Sequence, residues 1–81
     1  MPCIKLIDSI KICMYSRDHL PPHFHVLYAE YEALIEINSL KIIRGSLPGK
    51  PLQKVNKWAA SNQKMLLNNF FILNPNYAKN K

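Results

Sequence analysis

The sequence predicts a small α+β domain: an antiparallel β-meander of three to four strands, then a C-terminal helix or helical hairpin packed on one face. Three observations carry the prediction. Ile10, Ile12 and Met14 alternate with Lys11, Cys13 and Tyr15, the period of two expected of a half-buried sheet. Pro48-Gly49-Lys50-Pro51 then breaks the chain. Beyond the break Leu52, Val55 and Ala59, with Trp58 beside them, recur at helical spacing. At 81 residues the chain is long enough for one domain, read as 1–81, with a sheet part over 1–46, a helical part over 50–74 and a loose tail over 75–81.

The elements follow in order. The first strand is Ile10 to Tyr15. Arg17 to Pro22 breaks its pattern, because Pro21 and Pro22 fix two φ angles and remove two backbone donors. A second strand is expected from His23 to Ala29. The third places Tyr31, Ala33, Ile35 and Ile37 on one face and Glu32, Leu34 and Glu36 on the other. Ala29-Glu30 must join these two as a tight hairpin, although neither residue favours positive φ. Asn38-Ser39 is a better turn pair, leading to a fourth strand through Leu40, Ile42 and Ile43. Pro51 suits the first turn of a helix. Ser61 fits the cap of a second helix from Asn62 to Leu73, and the same pattern suits one bent helix.

Composition narrows the function. No apolar run approaches the ~20 residues that span a bilayer, and no basic-then-apolar leader is seen, so the expectation is a cytoplasmic protein with no membrane role. Cys3 and Cys13 then read as reduced thiols filling the core. Two glycines are too few for a phosphate-cradling loop, and there is no nucleophile elbow. The net charge of +6 is unevenly spread. Residues 1–36 carry three basic and five acidic side chains, net −2, whereas residues 37–81 carry eight basic and no acidic ones, net +8. Such a split suits an anionic partner, nucleic acid or an acidic protein. Tyr15, Lys41, Arg44, Lys50, Lys54, Lys57 and Lys64 are the nucleic-acid-binding candidates, with Lys50, Lys54, Lys57 and Lys64 read as one stripe opposite the apolar one. A solvated lysine-rich face gives the same pattern. Trp58, Phe70 and Phe71 read as core.

All three histidines fall in Asp18-His19-Leu20-Pro21-Pro22-His23-Phe24-His25. On a strand His23 and His25 point to the same face. Three readings stay open. Acid–base chemistry on RNA would use His19, His23 and His25 as proton carriers, Arg17 as a phosphate clamp and Asp18 to orient one imidazole. A metal site would use the same three histidines. In the third reading the histidines hydrogen-bond the loop and a carboxylate and simply hold the fold. No metal and no cofactor is expected.

Met1-Pro2, the strand Ile10 to Tyr15, and the segment Asp18 to Val26 with Glu30-Tyr31-Glu32-Ala33-Leu34-Ile35 after it, resemble a small bacterial domain-of-unknown-function family with the signature D-H-x-P-P-H-F-H-V…E-Y-x-A-x-I. Gly45-Ser46-Leu47-Pro48 is similar to its G-x-L-P turn, and Val55 and Trp58 to the start of its helical part, so the resemblance spans residues 1 to 73. Members are frequently encoded beside a second small domain of unknown function, which implies a two-gene toxin–antitoxin module. The chain departs from the family where glutamates are replaced by Lys54, Asn56, Lys57, Asn62, Gln63, Lys64 and Asn68. The leading expectation is therefore a toxin–antitoxin-type component that acts on or binds nucleic acid, as a small histidine-dependent ribonuclease. The alternatives are a non-enzymatic antitoxin or DNA-binding regulator, and a metal-binding protein. The expected partners are the neighbouring gene's small protein and nucleic acid, and so small a core leaves room for a homodimer.

Overall fold

A computed structural model describes residues 3–16 and 20–75 of the chain. Five strands, β1 (Cys3–Ile7), β2 (Ile10–Cys13), β3 (His23–Tyr28), β4 (Tyr31–Glu36) and β5 (Ile42–Gly45), precede two helices, α1 (Gly49–Ala60) and α2 (Gln63–Leu73). All neighbouring strands are antiparallel and lie in chain order, an uninterrupted meander. The fold class is the one the sequence predicts, with one strand more than expected. The extra strand is β1. It is an edge strand whose residues are nearly all exposed, Leu6 to 62%, so it lacks the alternation that reveals a half-buried strand.

Its presence corrects the reading of the cysteines. In the β1–β2 ladder Cys3 stands opposite Cys13, and the two are joined in a disulfide rather than lying apart as thiols. Without β1 nothing in the sequence placed them side by side. Cys13 is buried, so β2 is covered at this position on both faces.

The turns carry positive φ at non-glycine residues. Asp8-Ser9 closes β1 on β2, with Asp8 at φ 53°, and Ala29-Glu30 closes β3 on β4, with Ala29 at φ 52°. Alanine pays about 1–2 kcal/mol there. Register explains why the cost is tolerated: Phe24 faces Ile35 and Val26 faces Ala33, all fully buried, and a slip of one residue would turn them all to water. The third turn departs from expectation. Leu40, read as a strand residue, sits in the turn at φ 60° and donates its N–H to the Glu36 carbonyl, so β5 starts at Ile42. Gly45 is required where it stands. Its φ is +80°, and a Cβ would collide with the Glu32 carbonyl oxygen.

The helices cover one face of the sheet. Ile10, Ile12, Met14, Phe24, Val26, Ile35 and Ile37 form the sheet side of the core, and Val55, Ala59, Leu66 and Phe70 the helical side. Burying each of these side chains larger than alanine is worth about 1.5–3 kcal/mol. Pro48 precedes α1 in extended conformation, and Pro51 is buried in the first turn. The helical part is two helices. Ser61 closes α1 rather than capping α2, its N–H reaching the Ala59 and Trp58 carbonyls. Asn62 donates its side-chain amide to the Trp58 carbonyl at 2.8 Å. Gln63 ties the start of α2 to the sheet by donating Nε2 to the Ile37 carbonyl at 2.8 Å.

Candidate functional site

The described histidines sit where β2 ends and β3 begins. His23 is 1% exposed, and its Nδ1 lies 2.8 Å from the Pro21 carbonyl oxygen. A carbonyl only accepts, so Nδ1 carries the proton of this bond. The next carbonyl, that of Pro22, accepts from the Ile37 N–H at 3.0 Å. The Pro-Pro pair thus offers both carbonyls to the strands beside it, and the Leu20–Pro21 peptide bond is cis. His25 lies two residues on, its ring centroid 5.2 Å from that of His23. The Tyr15 ring meets it edge-on at 4.4 Å, and a Glu32 carboxylate oxygen is 3.8 Å from its Nδ1.

The C-terminal end of α2 packs against this strand end. Phe70 lies 5.8 Å from the His23 ring. Asn74, 5% exposed, donates its amide to the Phe70 carbonyl at 3.0 Å and the Tyr15 carbonyl at 3.3 Å. In the sequence Asn74 merely follows the helix expected to end at Leu73. That it also clasps the chain just beyond β2, at Tyr15, depends on a packing 59 residues apart in the chain, which no local pattern records.

Arg17, Asp18 and His19 lie outside the described residues. Among the described residues no three His, Cys, Asp or Glu side chains come together as a metal-holding group.

The nucleic-acid-binding candidates are scattered over several surfaces. Arg44 stands opposite Leu34 on the face turned away from the helices, and Lys41 precedes β5. Tyr15 belongs to the histidine end. The lysine stripe does not run unbroken: Lys50, Lys54 and Lys57 are on α1, whereas Lys64 follows the Ser61-Asn62 turn on α2.

Two of the α1 lysines take part in a second candidate site. Between β1 and α1 opens a groove of about 460 Å³ lined by Lys5, Ile7, Lys54, Lys57, Trp58, Ser61 and Asn62. Lys54 Nζ is 2.6 Å from Asp8 Oδ2, and the hydrogen bond to this carboxylate, reinforced by its charge, holds the ammonium above its ordinary pKa. Lys5 was missed because it belongs to the edge strand that shows no alternation. Trp58 read as core and is partly that, but it also forms groove floor.

A basic α+β domain with a histidine-bearing strand end and a lysine-rimmed groove is thus defined as a class by fold and surface. The chain belongs to the family described as a domain of unknown function (DUF4160), whose model matches residues 9–70. No curated protein and no solved structure matches it significantly. No helix among the described residues is long and apolar enough to cross a membrane.

Proposed function

We propose that this chain is the nucleic-acid-binding member of a two-gene toxin–antitoxin-type module, working in the bacterial cytoplasm beside a small protein partner. The observation that carries the reading is the charge division laid onto the fold. Every basic residue of α1 and α2 stands without an acidic residue on either helix, while the acidic side chains belong to the sheet half. Such a basic surface recruits phosphates by releasing their counterions. The burial of His23 and the commitment of its Nδ1 to Pro21 favour binding over cleavage, since a proton carrier must reach its substrate. In this compartment the Cys3–Cys13 pair is open to reduction.

A mobility-shift titration with single- and double-stranded oligonucleotides at rising salt tests the reading. Affinity that falls steeply with salt is expected, and its absence at low salt would overturn the proposal.

The histidine-dependent ribonuclease is the second reading, favoured by the 5.2 Å approach of His23 and His25 with Glu32 beside His25. It requires Arg17, Asp18 or His19 to complete the site. Expression of the chain alone, then with its genomic neighbour, separates the two. Growth arrest with loss of total RNA, relieved by His25→Ala in a folded protein, supports cleavage; intact RNA leaves binding.

A further inference from the structure

We propose that the groove between β1 and α1 seats one nucleotide of a single-stranded nucleic acid, its base against Trp58 and Ile7 and its phosphate between Lys5 and Lys57. The inference rests on the nucleic acid reading above and names the place and the form of the ligand.

Four properties of the groove point to this occupant. Its size, about 460 Å³, falls in the range of small-ligand pockets, roughly 300–1,000 Å³. Its floor joins an indole to an aliphatic side chain, which suits a flat ring with two apolar faces. Its rim carries three lysines, two of them outside the ion pair that Asp8 makes with Lys54. Ser61 and Asn62 add a hydroxyl and a carboxamide, groups able to meet the polar edge of a base.

A duplex keeps its bases stacked inside and can offer this floor nothing but sugar and phosphate, so a single strand is the fitting form. An acidic peptide would satisfy the lysines, but its carboxylates bring no apolar plane to cover Trp58 and Ile7. A nucleotide carries plane and charge in one unit.

The aspartate at the neighbouring turn has a defined part in this arrangement. An incoming phosphate must compete with Asp8 for Lys54 and is repelled by it. Asp8→Asn removes that competition, and asparagine tolerates the positive φ of 53° found there. The variant should bind more tightly, an outcome that a damaged fold cannot imitate.

Trp58 is the protein's sole tryptophan, so its fluorescence reports the groove alone. The full chain is titrated with a ten-nucleotide oligothymidylate at low salt, with poly-glutamate and duplex DNA in parallel. The expected result is saturable quenching by the oligothymidylate and little by the other two. Lys5→Glu and Lys57→Glu should each weaken it about tenfold or more and flatten the salt dependence by roughly one phosphate contact, with far-UV circular dichroism unchanged. Asp8→Asn should strengthen it, and Lys11→Glu, which stands opposite Leu27 on the face away from the helices and outside the groove, should leave the quenching unchanged. A mobility shift without quenching would keep nucleic acid binding and overturn the groove as its seat. Equal or stronger quenching by poly-glutamate would overturn it in favour of an acidic protein, and no binding in either assay would overturn both readings.

Discussion

Where β2 gives way to β3, polar side chains are taken out of water and provided with partners. Along β1 and α1 the arrangement is reversed: charges stay in water and only the floor beneath them is apolar. His23 and Asn74 at the first place are as buried as the leucines and isoleucines around them. At the second, Lys54 and Asp8 form a close ion pair with more than half of each side chain exposed. Buried polar groups are costly to disturb because an abandoned partner keeps its desolvation penalty. Exposed ion pairs contribute little to stability, since water and salt screen them. The first region is therefore expected to hold the fold, and the second is free to serve a ligand.

The contrast breaks or sharpens under substitution. Phe70→Ala removes the ring that joins the core to His23 and should cost about 3–5 kcal/mol, read as a lowered urea midpoint. His23→Ala should cost about 2–4 kcal/mol, since it empties a filled site and strips the Pro21 carbonyl of its donor. Asn74→Ala should cost about 1–2 kcal/mol through the lost clasp on Phe70 and Tyr15. Lys57→Ala belongs to the other region and should move stability by no more than about 0.5 kcal/mol. A loss at Lys57 equal to that at His23 would end the distinction.

The smallest effect is one of pH. The folded-state pKa of Lys54 is raised by Asp8, so its contribution is complete below the ordinary lysine range and is lost as pH rises through the raised value. Lys54→Met should lower the neutral thermal midpoint slightly and remove the matching part of its alkaline decline.

The central strands and the helical part were legible in the sequence because each buries one face and so writes its period into the chain, but the break at Ser61-Asn62 that makes it two helices was not. Ile10-Ile12-Met14, Ala33-Ile35-Ile37 and Val55-Ala59 are all buried, as their spacing implied. β1 was illegible for the opposite reason: an edge strand that buries almost nothing has no period to show. Both the disulfide and the groove depend on β1, so both escaped notice with it. At the histidine end, the same-face pairing of His23 and His25 was legible from their two-residue spacing. The depth of His23 and the grip of Asn74 were not, because each depends on α2 returning to the end of the sheet. Ala29 shows a third kind of silence. Its residue type argued against its own conformation, and the paired core positions on either side prevailed.

The meander also decides what the chain experiences while it is being made. Each strand after β1 has a partner immediately before it in the sequence, so the sheet can assemble strand by strand as residues leave the ribosome, with short loops to close. The sheet is complete at Gly45, but its cover runs from Gly49 to Leu73. At roughly 5–20 residues per second, the wait for that cover lasts on the order of seconds. Throughout it Ile12, Phe24 and Ile35 present an apolar surface with nothing over it. The arrival of α2, fastened at its start by Gln63 and at its end by Asn74, ends the nascent chain's period of exposure.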